Sequence, residues 1–580
     1  MKFTEINKTR KKIVPNEYLN RWFASLGYNS KSIKNLDSEE HDPMLLDNAY
    51  WASEIIENAI NDPKAVITIA GDYDADGICG TSILYKGIKY LGKTPNYMIP
   101  DRIRDGYGMN KRQIDEAKQV GTTLLITVDN GITCHEEIDY AKQLGMKVVL
   151  TDHHNIGEIN PHADAVVHPA LGSYPFRDIS GATVAYKLMR LMIEKQGRNS
   201  VEDRAMIDYL RCLAGITVIS DVMPLVDENR TIFKKSVEYL KSCKDSALSY
   251  LLELAEIDPE HIDETTYGFS ICPMINAVGR LSNAEYAVDF LTTNDPKSRR
   301  YQGVSMVALN EKRKDMQKRQ QAELEPMINN DHDGIVVFND AFDIHEGLIG
   351  IIAGRICQEY KKPTILFTKA ESSSGDPIWK ASARSTEDCN IYDVLHAMDQ
   401  EDSDLFLNYG GHAGAAGMSI PFDKKEAFEK LYYEKVSELS TEFEQPYMSV
   451  PIDKIEELVE ATKPWQPFGQ GFPKPVIRFK FNVTNAKLYY RTGSAYLTNG
   501  IIDVWEKIPH VVDSIRNHDY RLTFSTYDKF LSNSEQEAAK TEYYRPKNDM
   551  LSYDVVCSVS SNYFGGKDTI KADILLFVEK

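Results

Sequence analysis

Between residues 65 and 169 the chain repeats one pattern: a short apolar, β-branched run, a polar turn, then in most cases a segment of helical periodicity. AVITIA (65–70) stops at Gly71 and an acidic turn, and GICGTSILYKGIKYLG follows. TLLITVDNG (123–131) precedes EEIDYAKQLG, and KVVLTDHHN (147–155) and DAVVHP (164–169) continue the series. Such alternation predicts a parallel sheet with helices on both faces and right-handed crossovers. In sheets of this kind, sites gather at the carboxyl ends of the strands.

The pattern does not fill the chain. With 580 residues, one hydrophobic core is not enough, and two to four domains are expected. Residues 1–240 read as the first α/β domain with an N-terminal extension, mostly helical over 181–240 with a break at SDVMPL (220–225). Residues 241–327 read as a helical connector, and 296–327 as one long polar helix able to bridge two domains. A second α/β pattern occupies 328–442. It has GIVVFN as strand, GLIGIIAGRICQEY as helix, PTILFT as strand, WKASARS as strand and turn, and YGGHAGAAG as a glycine-rich turn. Residues 443–580 change character to short strands with turn signals, which predicts a small barrel or sandwich.

Three strand ends carry the chemistry. GDYDADG sets Asp72, Asp74 and Asp76 at alternate positions, which in extended backbone point the same way. Asp129 ends ITVDNG, and Asp152, His153 and His154 end VVLTDHH. A lone acidic turn of this kind is more often a helix cap. Three in register on one sheet edge would repel unless a cation neutralised them. Asp221, closing the helical run ITVISD, is a further candidate. Mainly carboxylate donors with one or two imidazoles suit Mn²⁺ or Mg²⁺. This many acids suits two ions about 3.5–4 Å apart, as in nucleases and phosphatases, with Asp129 as the bridging carboxylate.

The bulk numbers bound the rest. A formal net charge of −19 argues against a protein that simply coats nucleic acid, but not against a nucleic-acid enzyme. The eight cysteines are scattered with no C-x-x-C pair, which disfavours a zinc site or disulfide framework and fits a reducing cytoplasm. No apolar run approaches the roughly 18 residues of a membrane span.

Taken in order, GDYDADG, VDNG, TDHHN and SDVMPL resemble the signature of the DHH phosphoesterase superfamily, and YGGHAGAAG resembles the motif of its DHHA1 domain. HDPMLLDN (41–48), GYGMN (106–110), INAVGRLSNA (275–284), IHEGLIGIIAGR (344–355), SARS (382–385) and PFGQGFPKPV (467–476) are similar to the RecJ family of bacterial single-strand-specific 5′→3′ DNA exonucleases. The resemblance implies a parallel-sheet DHH domain, a DHHA1 domain joined by a long helix and a C-terminal OB-like β-barrel. It implies Asp74, Asp76, Asp129, His153 and Asp221 as metal ligands. His154 acts at the scissile phosphate as acid, base or electrostatic stabiliser, and Asp129 belongs to the catalytic set. Arg280, Ser382, Arg384 and Ser385 would hold the nucleic-acid backbone and its 5′ phosphate, and Gly410, Gly411 and His412 would let backbone N–H groups approach a phosphate. Tyr489, Tyr490, Tyr496 and Tyr563 could stack on bases.

The function implied is hydrolysis of single-stranded DNA to 5′-mononucleotides in DNA repair and recombination. Single-stranded DNA would be the substrate, and a single-strand-binding protein and a helicase the partners. Two alternatives remain: a nanoRNase or cyclic-dinucleotide phosphodiesterase of the same superfamily, and a catalytically silent replication scaffold. The first is usually shorter and lacks the C-terminal domain; loss of acidic ligands would mark the second, and here every ligand position is filled.

Overall fold

The computed structural model describes most of residues 2–579. Residues 6–14, 504–522, 525–549 and scattered shorter stretches lie outside the described set, and between 480 and 579 side chains are described only for 556–560. The chain forms two compact units, Ser38–Phe443 and Met1–Asp37 with Glu444–Lys580.

In the larger unit, strands β1 (Ile67–Ala70), β2 (Asn96–Met98), β3 (Leu124–Val128), β4 (Lys147–Thr151) and β5 (Ala165–Val167) make one sheet in the order β2-β1-β3-β4-β5. Every pairing is parallel. The runs read as strands from the sequence are strands, and all of β1 and β3 is buried, as expected when helices cover both faces. The sequence reading missed β2, a three-residue edge strand too short to show alternation. Helix α1 (Ala75–Tyr90) follows β1, and α2 (Gly181–Lys195) and α3 (Val201–Ser220) pack with it in one core.

Helix α4 (Cys272–Leu281) leads by way of Glu285–Thr292 to α5 (Pro296–Leu324), the long helix expected from 296–327, which ends in a 3₁₀ turn at Glu325–Met327. Beyond it lie β6 (Ile335–Asn339), α6 (Glu346–Tyr360), β7 (Thr364–Glu371), β8 (Pro377–Arg384), β9 (Asn408–His412) and β10 (Ala415–Pro421). Their sheet order is β9-β10-β8-β7-β6, parallel only between β6 and β7. YGGHAGAAG is therefore a hairpin of two strands rather than a turn throughout. Glycine's strand penalty is outweighed where another backbone approaches: a Cβ on Gly411 (φ +147°) would lie 2.4 Å from Ala415 O.

In the smaller unit Lys2–Glu5 pairs in parallel with Glu444–Ser449, at one edge of a six-stranded sheet whose other edge is Lys567–Glu579. Lys487–Arg491, Ser494–Thr498 and Thr523–Phe524 form a separate sheet. Among the described residues no strand pairing closes a barrel. The side chains of Tyr489, Tyr490, Tyr496 and Tyr563 lie outside the described residues. Among the described residues, no helix is long and apolar enough to cross a membrane.

Candidate metal centre and facing oxyanion cleft

Because β1, β3 and β4 are parallel neighbours, Asp72–Asp76, Asp129 and Asp152–His154 emerge on one edge. The Nε2 of His153 lies 3.2 Å from Asp129 Oδ1, 3.5 Å from Asp221 Oδ2 and 3.6 Å from Asp76 Oδ2. Donor atoms fall into overlapping groups, each within 4.8 Å: Asp76 with His153 and Asp221, Asp72 with Asp74 and Asp129, and Asp129 with His153 and His154. All five residues the resemblance assigns as ligands thus converge.

Local structure sets each side chain. Asp74 caps α1, its Oδ1 accepting from the N–H groups of Asp76 and Gly77 at 2.9 and 3.1 Å. Both oxygens of Asp76 accept from the first turn of α2, Oδ2 from Gly181 N at 2.7 Å and Oδ1 from Ala182 N at 3.0 Å. Asp129 has a left-handed φ of +61°, a strained backbone for a non-glycine residue and one found at functional sites. Asp221 terminates α3.

The electrostatics ask for cations. Burial, then the charges of Asp76 and Asp74, push the Asp129 carboxyl well above the usual range. Burial and the same neighbours raise Asp221, and burial with Asp74 raises Asp72. These acids cannot all ionise side by side without counter-charge. Burial lowers His153, keeping its imidazole neutral and able to donate a lone pair. Buried Asp72 Oδ1, His153 Nε2 and Asp221 Oδ2 have no hydrogen-bond partner, so the donor set fits hard divalent ions.

Asp152 has another task. Its Oδ1 accepts from His154 Nδ1 at 2.8 Å and its Oδ2 from Ile132 N at 2.9 Å. Burial opposes the charged form of His154, yet the hydrogen bond and charge of Asp152 lift it to about 9. His168 Nε2 donates to the His154 carbonyl at 2.8 Å while its Nδ1 accepts from Ala170 N at 3.1 Å, which fixes its neutral tautomer.

Across from the carboxylates stands a group of cations. Arg280 NH1 donates to Gly347 O at 2.9 Å, and Arg384 NH1 to Ser382 Oγ at 2.8 Å. Among the described residues neither guanidinium has a carboxylate within ion-pair distance. Burial, then Arg102 and Arg384, lowers Arg280 to about 9, and burial with Arg102 lowers Arg384. Strand register aligns Ser382 with Gly417 and Gly410, and Arg384 with Ala415 and His412, so these two rows share one sheet face. A Cβ on Gly410 would meet no atom within 4 Å, leaving an open floor beside the arginines. His412 is lowered by burial, then by the nearby charges of His154, on the DHH edge, and Arg384. Gly411 points to the other face, and the Ser385 hydroxyl donates to Cys389 O at 2.5 Å.

Sequence reasoning counted Asp152 only as part of an acidic strand end, and left His168, Arg102, Asn276 and Gly181 without roles. Asn276 Oδ1 accepts from Ala75 N at 2.9 Å, and the Arg102 guanidinium lies over the Tyr73 ring at 4.5 Å. Asp152 and Asn276 lay within quoted motifs. Arg102 sits in a polar loop that carries no signal.

The parallel sheet with acidic strand ends and an Asp-His-His turn defines a DHH-family protein. The DHH family, N-terminal domain, matches residues 66–216, and the DHHA1 domain matches 333–438. The single-stranded-DNA-specific exonuclease RecJ of Salmonella typhimurium is 31% identical over 75% of this chain and 78% of its own length. That of Escherichia coli is 30% identical over 81% and 84%. The chain belongs to the RecJ family. Crystal structures agree in fold: RecJ from Thermus thermophilus in complex with Mn²⁺ covers 96% of this chain and 75% of its own, at a TM-score of 0.74 and 23% identity. Exonuclease RecJ bound to manganese covers 69% of this chain and 96% of its own, at 0.57 and 29%.

Proposed function

We propose that this protein is a divalent-metal-dependent exonuclease that degrades single-stranded DNA from the 5′ end to 5′-mononucleotides in DNA repair and recombination. One observation carries the reading: a convergent Asp74, Asp76, Asp129, His153 and Asp221 donor set stands opposite two arginines, Arg280 and Arg384, that have no carboxylate partner among the described residues. Metal-donor carboxylates facing unpaired guanidinium groups fit a phosphodiester held by its oxyanions at a hydrolytic centre.

Asp74, Asp76, Asp129, His153 and Asp221 would hold two ions, Mn²⁺ or Mg²⁺, with Asp129 shared. When bound, these ions offset charge on the phosphoryl oxygens and make water nucleophilic near neutral pH. His154, protonated against Asp152, stands 35% exposed at the mouth of the centre, where it can donate a proton to the leaving oxygen or hold the phosphoryl group. Arg280, Ser382 and Arg384 would fix the terminal phosphate, while Gly410 and His412 border the strand's path and Gly411 shapes the hairpin that carries them. Ser385 supports that loop.

In the finer reading, 1–240 is the DHH domain with its extension, 241–327 the connector, 328–442 the DHHA1 domain and 443–580 an OB-like domain. A cytoplasmic location is in keeping with cysteines scattered along the sequence without a C-x-x-C pair. A single-strand-binding protein and a helicase are the expected partners, since both expose or present single strands.

Digestion of 5′- and 3′-labelled single and double strands with Mn²⁺ or Mg²⁺ tests the function. The 5′ label should appear first, as a mononucleotide, from single strands only. Release of the 3′ label first, or cleavage confined to dinucleotides, would overturn it. Asp129→Ala should abolish cleavage while leaving DNA binding in place.

A further inference from the structure

Helix α5 buries one edge. Gly303, Met306, Asn310, Arg313, Gln317, Gln320 and Leu324 recur at three- and four-residue spacing on it. The opposite edge carries Lys297, Arg300, Lys312, Lys318 and Arg319, all exposed. Among the described residues none of these five has a carboxylate within ion-pair distance. The acidic side chains exposed on that edge are Glu311, held by Lys314 at 2.7 Å, Asp315 and Glu323. Tyr301, 76% exposed, and Val304 lie beside Arg300 on the same edge.

A solvated helix face is ordinarily laced with alternating charges three and four residues apart. Elsewhere the chain does this: Arg112 is held by Glu116 and Arg190 by Glu194, each four residues on along its helix. Unpaired cations gathered on one rigid helix stand out in a protein of net charge −19. At 1.5 Å per residue the row from Lys297 to Arg319 spans about 33 Å. That length matches a polymer rather than a small anion.

We propose that the exposed edge of α5 binds the phosphodiester backbone of single-stranded DNA as a track additional to the residues that hold the reacting end. The row of cations would displace counterions from the phosphates, and the Tyr301 ring offers a surface on which a base can stack. The inference rests on the exonuclease reading, and it adds the requirement that long strands bind through a surface short ones do not reach.

The test compares wild type with a fivefold variant, Lys297→Gln, Arg300→Gln, Lys312→Gln, Lys318→Gln and Arg319→Gln, and separately with Tyr301→Ala. Affinity for a long oligothymidine is measured by fluorescence anisotropy across a salt series without divalent ions. Turnover of a short oligonucleotide with Mn²⁺ is followed in parallel. The fivefold variant should bind the long strand at least about tenfold more weakly, with a log–log salt slope reduced by about 3, while short-oligonucleotide turnover persists. Tyr301→Ala should weaken long-strand binding without changing the slope. Wild-type affinity and slope in the fivefold variant would overturn the track. Unchanged DNA affinity with lost binding to poly-glutamate would overturn it too, assigning the edge to an acidic protein. If wild type cleaves no DNA of any length, the exonuclease reading itself has failed, a result distinct from either.

Discussion

The carboxylate of Asp152 and the ring of His154 are joined at 2.8 Å, Oδ1 to Nδ1, while the other carboxylate oxygen is anchored by Ile132 N. This bond keeps a half-exposed imidazole charged above neutrality, although burial opposes the charge. The sign is that of a raised histidine: the protonated form dominates below about 9 and is lost as pH rises through it. Rate should therefore hold through neutral pH and fall on an alkaline limb. Asp152→Asn should draw that limb down toward the ordinary 6.5, with an overall loss of about 10²-fold or more. A pH–rate profile of both proteins checks it, and an unmoved limb would separate His154 from the proton step.

Gly181 stands where the metal centre has no space to give. A Cβ there would lie 2.7 Å from both Cβ and Oδ1 of Asp129, and the Gly181 N–H donates to Asp76. Gly181→Ala should thus displace two candidate ligands while leaving the apolar packing of α2 intact. The expected outcome is Mn²⁺ affinity weakened by about 10- to 100-fold, read by isothermal titration, with the melting temperature of the ion-free protein nearly unchanged.

How far this centre was legible in the sequence depends on the kind of interaction. Asp74, Asp129 and His153 could be read because strand periodicity alone puts three parallel strand ends on one edge. Asp221 could be placed only by resemblance, since its approach to His153 depends on how α3 crosses the sheet. Asp76 was read as a ligand candidate, but its pairing with the N–H groups of Gly181 and Ala182 spans more than a hundred residues, and no local pattern encodes it. The β9–β10 hairpin was misread because glycine usually signals a turn, whereas here Gly411 serves close backbone approach and Gly410 leaves an open floor. Arg102 was invisible because its approach to the Tyr73 ring and to the like-charged Arg280 is assembled by tertiary packing.

Glu40 should govern acid stability in the larger unit. It is almost wholly buried, yet Arg211, Tyr186 and Lys235 overcome that penalty and hold its carboxyl down at about 2, against an ordinary 4.5. A depressed carboxyl stabilises fully above 4.5 and loses the contribution as pH falls through about 2. The shift corresponds to about 3 kcal/mol. Glu40→Gln should lower the melting temperature at pH 7 and flatten its decline on acidification, measured by thermal unfolding across a pH series.

The buried pair Lys187–Glu228 nearby is satisfied by more than its own charges. Glu228 also accepts from Tyr174 Oη at 2.5 Å and His41 N at 3.0 Å, and Lys187 donates to His41 O at 2.6 Å. Lys187→Met leaves a carboxylate without its cation in a site closed to water. A loss of about 3–5 kcal/mol is expected. Replacing both, Lys187→Met with Glu228→Gln, should recover part of it. Urea unfolding of the two variants decides this, and equal losses would show that the charge itself contributes little.

The N-terminal residues belong physically to the smaller unit, and their removal should be felt there. Trp22 and Phe23 are fully buried; Phe23 stacks on Phe472 at 5.1 Å and packs against Trp465 at 4.8 Å. Trp22 Nε1 donates to Pro473 O at 3.3 Å, so the PFGQGFP segment is held by a helix more than four hundred residues earlier in the chain. Lys2–Glu5 adds a parallel strand to Glu444–Ser449. Trp22→Ala should cost about 3–5 kcal/mol locally, enough to open 444–580 to protease while Ser38–Phe443, with its own cores, stays resistant. Limited proteolysis followed by mass spectrometry would show cleavage confined to the smaller unit, and cleavage spread evenly over both would contradict that independence.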